Sequence, residues 1–153
     1  MEKKKILFIC LGNICRSPMA EFVMKKIVGD AGVSEHYEIA SAATSYEEVG
    51  NPVYPPAKRK LAENGITCTG KTARRMTPAD YHHYDYIIAM DRNNVRQIIS
   101  IIGEDSDNKV TLLMDYTDNP HDVADPWYTG NFDATWTDVT KGCTALFKLL
   151  ERK

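Results

Sequence analysis

The stretch "FICLGNICRSPMAE", Phe8–Glu21, sets two cysteines, a glycine, an arginine and a serine directly behind an apolar run. "KILFIC", Lys5–Cys10, reads as a strand buried on both faces, because its apolar residues do not alternate with polar ones. From Pro18 the pattern turns helical, with Met19, Phe22, Val23 and Ile27 on one stripe and Gly29 as a stop signal. The residues between form a short loop from a buried strand to a helix N-terminus. Such a loop aims successive backbone N–H groups inward and binds anions, phosphate especially. Leu11, Gly12, Asn13, Ile14, Cys15 and Ser17 are the expected phosphate-binding residues of this cradle. Gly12 is expected to adopt a φ that other residues resist, and Asn13 tolerates left-handed geometry. Arg16 adds a planar grip on two oxygens. The same N–H groups and Arg16 favour the thiolate of Cys10, which makes it a nucleophile aimed at the bound anion. Ser17 is placed to hydrogen-bond that sulfur. The Gly-Lys-Ser/Thr of a nucleotide-binding loop is absent. Two plainer readings stand beside this one. A cysteine that ends a buried strand is commonly inert core. Cys10 and Cys15 also match half of a zinc site, although Cys68 and Cys143 are isolated from each other.

Working outward, "YEIASAA" (Tyr37–Ala43), "DYIIAM" (Asp85–Met90) and "KVTLLM" (Lys109–Met114) read as further strands. A helix is expected from the prolines of "NPVYPPAKRKLAENG" to about Gly65. Thr77-Pro78 opens another helix as N-cap and first helical residue. Val95, Ile98, Ile99 and Ile102 mark a third helix, with Asp91 as its N-cap, and Phe132, Trp136, Val139, Cys143, Leu146 and Leu150 trace a long closing helix. Strands alternating with helices imply one α/β domain over 1–153, a four-stranded parallel sheet with helices on both faces. Binding sites in such folds lie beyond the carboxyl ends of the strands, where the loop after the first strand sits.

Composition agrees with one globular domain: 153 residues, 43% apolar and 26% charged. A formal charge of −2 offers no global attraction to nucleic acid or an anionic membrane, so neither is an expected partner. "MEKKKILFIC" is too short in its apolar part for a signal-peptide core, and no run approaches a membrane span. Four cysteines without a secretory signal point to free thiols in a reducing compartment, the cytoplasm.

"CLGNICRSP" resembles the active-site signature of the low-molecular-weight protein tyrosine phosphatases. The resemblance runs along the chain through "SAATS", "GNP", "DYIIAMD" and "DPWY". It implies hydrolysis of phosphotyrosine through a phosphocysteine, with Cys10 as nucleophile, Arg16 as phosphate clamp, and Asn13 and Ser41 holding the loop's shape. Expelling a phenoxide, whose parent acid has a pKa of about 10, calls for a proton donor. Asp125, Asp115, Asp118, Asp122 and Asp133 all compete on residue type. The resemblance selects Asp125, since "DPWY" matches the family's Asp-Pro-aromatic-aromatic loop. Asp125 would then protonate the leaving oxygen and later activate water. Trp127 and Tyr128 resemble the aromatic wall beside the substrate ring, with Trp127 where the family commonly has tyrosine. Tyr46 is the expected aromatic of the opposite wall, about one position earlier than usual. Lys71, in "KTAR", stands where many relatives have histidine.

The partners implied are phosphotyrosine proteins or peptides, with inorganic phosphate as product and competitive inhibitor. No cofactor or metal is expected, because the loop supplies the positive charge. Three rivals share features of the site. An arsenate reductase would carry further redox cysteines between Arg92 and Met114, and there are none. A phosphoarginine phosphatase resembles this loop with threonine at Ile14. A catalytically dead binding module would not retain Cys10, Arg16, Ser17 and Asp125 together. Cys15 is expected to capture an oxidised Cys10 as a recoverable disulfide, giving redox regulation.

Overall fold

The computed structural model describes residues 2–153; Met1, the first residue of the expected domain span, lies outside the described residues. In chain order the elements are β1 (Lys4–Cys10), α1 (Arg16–Asp30), β2 (Tyr37–Ala43), α2 (Pro55–Glu63), α3 (Pro78–His83), β3 (Tyr86–Ala89), α4 (Arg92–Ile102), β4 (Val110–Leu112), α5 (Pro126–Thr129) and α6 (Phe132–Glu151). The strands form one parallel sheet in the order β2-β1-β3-β4. The single-domain α/β architecture is the one expected from the sequence.

The strand period of two sorts β1 between the two layers. Ile6, Phe8 and Cys10 face α1 and α6, where Met19, Val23, Met24, Val139, Cys143, Leu146 and Leu150 complete one core. Leu7 and Ile9 face the other way, against Tyr81 of α3 and Ile98 of α4. Both sets are needed to bury β1, which is why its sequence shows no alternation. Because all four strands run the same way, their carboxyl ends gather at one edge. That edge carries Cys10, Thr44 and Asp91.

Several boundaries differ from the sequence reading. α1 begins at Arg16 rather than Pro18, so Pro18 falls in the first turn, where its missing N–H costs nothing. The chain turns out of α1 at Gly32, with φ of 74°, and not at Gly29. β3 is shorter than Asp85–Met90, because the chain breaks away at Met90 to cap α4 with Asp91. β4 covers only Val110–Leu112; Leu113–Tyr116 winds into a 3-10 turn that drives Leu113 under α6, fully buried. Among the described residues no helix is long and apolar enough to cross a membrane.

Candidate active site

The loop after β1 wraps around the Cys10 sulfur. Asn13 N–H donates to Sγ at 3.3 Å and Ser17 N–H at 3.4 Å, while Ser17 Oγ lies 3.0 Å away. The N–H groups of Gly12, Ile14 and Cys15 donate to no protein acceptor among the described residues. Asn13 has φ of 59°, the left-handed value its type tolerates. Gly12 does not share it. A side chain at Gly12 would instead press on Glu48, whose Cγ would lie 3.3 Å from the added carbon. What a side chain at Gly12 would meet is thus the close approach of the 45–50 segment, through Glu48, rather than an unfavourable φ.

Asn13 is locked from three sides. Its Nδ2 donates to Ser17 Oγ at 2.8 Å and to Ser41 Oγ at 2.9 Å, and its Oδ1 accepts the Arg74 N–H at 3.2 Å. Ser41, buried near the end of β2, is thereby tied to the loop.

Arg16 opens α1 with its side chain 3% exposed. Nη1 donates to Asp91 Oδ2 at 2.7 Å and to the Val123 carbonyl at 2.8 Å, and Nη2 lies 3.4 Å from Asp125 Oδ2. Burial pulls the guanidinium down, yet the Cys10, Asp91 and Asp125 charges hold it above its ordinary value. Asp125 has φ of −79° and ψ of 113°, the extended form that Pro126 imposes on its predecessor. Its Oδ1 accepts the Trp127 N–H at 3.0 Å and caps α5. Of the competing aspartates, Asp122 pairs with Arg92 and Asp133 with Lys60, both away from the loop.

The cleft is lined by Cys10, Leu11, Gly12, Ile14, Cys15, Arg16, Ser45, Glu47, Glu48, Asp125, Trp127 and Tyr128. Trp127, half exposed, rests on Tyr54 with ring centroids 4.7 Å apart, and Tyr128 is 78% exposed beside it. Both aromatic residues of "DPWY" thus line the cleft. The facing side differs from expectation. Tyr46 is turned against Arg75, whose guanidinium carbon lies 4.2 Å from the ring centroid, and Tyr46 is not among the lining residues. Ser45, Glu47 and Glu48 line that side. Cys15 is buried beneath the loop; burial, then the Cys10 and Asp125 charges, pushes its thiol up.

Asp91 was legible in the sequence only as an N-cap, a role it fills by accepting the Asn94 N–H at 2.8 Å. Its grip on Arg16 escaped sequence reading, although its place just past β3, beside β1, was a usable signal. Glu21 and the Val123 carbonyl escaped it as well, whereas Lys71, marked in "KTAR", lies 3.4 Å from Glu21 Oε1. Two of the histidines sit in surface pairs, His83 with Glu38 and His121 with Asp138.

A family model for low molecular weight phosphotyrosine protein phosphatases matches residues 5–153. The chain belongs to that family. Over 150 residues this phosphatase is 35% identical to the low molecular weight protein-tyrosine-phosphatase YfkJ of Bacillus subtilis, covering 97% of this chain and 96% of that one. It is likewise 35% identical over 150 residues to the human low molecular weight phosphotyrosine protein phosphatase, covering 95% and 94%. The crystal structure of YfkJ superposes with a TM-score of 0.96 at 34% identity, over 99% of this chain and 97% of that one. The Streptococcus pyogenes enzyme SP-PTP gives 0.86 at 40% identity, over 98% and 93%.

Proposed function

We propose that this enzyme hydrolyses phosphotyrosine through a phosphocysteine on Cys10. The observation that carries the reading is the Cys10 sulfur itself, held by two N–H groups and the Ser17 hydroxyl at the floor of a cleft whose mouth brings Arg16 and Asp125 together. The phosphoryl oxygens take the loop N–H groups and the Arg16 fork, which concentrate positive charge where the transition state spreads negative charge. Cys10 attacks phosphorus in line: the S–P bond forms, the P–O bond to the ring breaks, and the proton of Asp125 goes to the leaving phenolate oxygen. Asp125 then takes a proton from water as that water attacks phosphorus. The S–P bond breaks, the electron pair returns to sulfur, and Ser17 steadies the departing thiolate. Inorganic phosphate leaves, and as it fits the same cradle it competes with substrate.

Asp91 and the Val123 carbonyl hold the Arg16 fork in plane, while Asn13 and Ser41 keep the loop's shape. Trp127 and Tyr128 offer one flat wall to the tyrosine ring. Ile14 presents no hydroxyl, which favours a ring over a phosphoguanidinium. The four free cysteines fit a reducing compartment, and we place the enzyme in the cytoplasm.

The test is a screen of phosphotyrosine, phosphoserine and phosphoarginine peptides and arsenate, with chelator present. Phosphotyrosine is expected to be turned over and the others at most feebly. Preferential turnover of phosphoarginine, or thiol-dependent arsenate reduction, would replace the proposal with one of its rivals.

A further inference from the structure

Tyr54 stands between the phosphate loop and the segment that carries Asp125. It precedes Pro55 and Pro56, and with φ of −57° and ψ of 134° it has the extended backbone that a following proline imposes. Its N–H donates to the Ile14 carbonyl at 2.9 Å, so its backbone is fastened to the loop itself. Its ring is partly buried and packs, together with Phe132, on the cluster of Ile14, Cys15 and Ala73. The Tyr54 and Phe132 rings lie 6.1 Å apart with 27° between their planes. The Tyr54 ring also receives Trp127, at 4.7 Å between centroids and 53° between planes.

Trp127 has little burial of its own to hold it. It is 52% exposed, and of the four residues of α5 only Pro126 is buried. Its backbone N–H donates to Asp125 Oδ1 at 3.0 Å, so a shift of Trp127 carries the carboxyl with it. Before Asp125 the chain is held by the Val123 N–H on the Met90 carbonyl at 2.9 Å and by Thr135 Oγ1 on the Ala124 carbonyl at 3.4 Å. The direct tie from Asp125 to the loop, Oδ2 to Arg16 Nη2 at 3.4 Å, does not outlast substrate binding. Bound phosphate takes the Arg16 fork, and an Asp125 that carries its proton has no charge for Arg16 to hold.

Building on the reading of Asp125 as proton donor, we propose that Tyr54 is a positioning residue, which sets the Trp127 ring and through it the Asp125 carboxyl over the phosphate loop. Tyr54 is not among the residues that line the cleft, so it acts through Trp127. An aromatic contact needs no charge on either partner, so it persists when the phosphate dianion arrives and the Arg16 contact is given up. The acid is then already aimed at the leaving oxygen. With the Tyr54 ring gone, Trp127 turns toward solvent and the carboxyl spends time away from that oxygen. The cradle keeps its shape, because its N–H groups belong to the loop after β1. Loss of the wall alone costs every aryl phosphate alike, whereas loss of the acid's aim costs most where the phenol leaves poorly.

The experiment measures kcat/KM of the whole enzyme over aryl phosphates graded by the acidity of the phenol. Inhibition by inorganic phosphate and thermal unfolding are recorded alongside. Tyr54→Leu keeps an apolar side chain against Ile14 and Ala73 but removes the ring. Its deficit is expected to be about tenfold on phosphotyrosine and to shrink toward the most acidic phenols, with phosphate inhibition unchanged. Tyr54→Phe, which keeps the ring, should match wild type. In an Asp125→Asn background, Tyr54→Leu should change the leaving-group dependence no further. A further change there, no deficit, a deficit equal across the series, or phosphate binding lost in step with activity would each overturn the proposal. If Tyr54→Leu does not fold, Trp127→Leu carries the test, because it keeps the N–H on Asp125 and removes the ring that Tyr54 holds. The same graded deficit is expected there, and a flat one overturns the proposal equally. A flat series for Asp125→Asn itself would instead overturn the proton-donor reading, and this proposal with it.

Discussion

Substituting Asp125 separates chemistry from architecture, because its two oxygens have different structural duties. Oδ1 caps α5 through the Trp127 N–H at 3.0 Å, and Oδ2 faces Arg16 Nη2 at 3.4 Å. Asp125→Asn keeps an oxygen for the cap and nearly the same volume, but it has no carboxylic proton to give. Asp125→Ala loses the cap as well. Both variants are expected to lose about 10²–10⁴-fold in kcat/KM on phosphotyrosine, the usual worth of a positioned acid. That is about 2.7–5.4 kcal/mol of barrier. Only the alanine variant is expected to lose stability, about 1 kcal/mol for the missing cap. The assay is kcat/KM over a series of aryl phosphates graded by the acidity of the phenol. This ratio reports the step that expels the phenol and is blind to later hydrolysis of the phosphocysteine. Wild type should depend weakly on leaving group. Asp125→Asn should depend on it steeply, with its deficit shrinking for the most acidic phenols, which leave without help. A deficit constant across the series, or none, would refute Asp125 as the proton donor.

Three further outcomes follow from the same structure. In Gly142→Ala the added carbon would lie 2.5 Å from Leu113 Cγ, and Leu113 is fully buried. Overpacking of about 1–3 kcal/mol outweighs the gain of roughly 0.5–1 kcal/mol in helix propensity, so the melting temperature should fall; a rise would show that Leu113 yields freely. Asp105 is pushed up by burial, but the Tyr81 hydroxyl and the Lys109 and Val110 N–H groups hold it below its ordinary value. Its contribution is therefore present above the unfolded value of about 3.9 and lost as pH falls through the lower folded value. Urea melts of Asp105→Asn should show about 1–3 kcal/mol less stability near neutrality and a smaller loss on acidification than wild type; parallel pH profiles would contradict this. For Cys15, peroxide is expected to convert Cys10 to a sulfenic acid, with the second peroxide oxygen leaving as water. The Cys15 sulfur then displaces that oxygen, also as water, to form a disulfide that added thiol reduces. Wild type should regain activity with reductant and Cys15→Ser should not; equal recovery makes Cys15 a packing residue. The raised Cys15 thiol slows the capture, so the comparison is best made at alkaline pH.

What the sequence disclosed was local. The Lys5–Glu21 run shows a switch from unbroken apolarity to helical period, and that switch alone places the loop at the carboxyl end of a buried strand. Asp125 needed the family resemblance, since nothing local distinguishes it from Asp122 or Asp133. The groups that escaped the sequence act across long separations. Asp91 meets Arg16 from 75 residues away, and Glu21 meets Ser41 from 20. Their partners are fixed by the β2-β1-β3 order, which no single segment encodes. Tyr46 went astray for another reason: an exposed aromatic lies wherever its best neighbour is, and here that neighbour is Arg75. Gly12 has no positive φ, and the tight approach it makes is to Glu48, in a loop that the sequence does not align with it.

The central claim is a covalent phosphocysteine, and it is tested most directly by catching it. Asp125→Asn mixed with p-nitrophenyl phosphate should form the intermediate readily, since that phenol leaves unaided, and hydrolyse it slowly, since the base is gone. Rapid acid quenching followed by mass spectrometry of peptides should find one added phosphoryl group, on Cys10, and none in the double variant that also carries Cys10→Ser. Phosphate on any other residue, or continued turnover by Cys10→Ser with no adduct at all, would contradict the account.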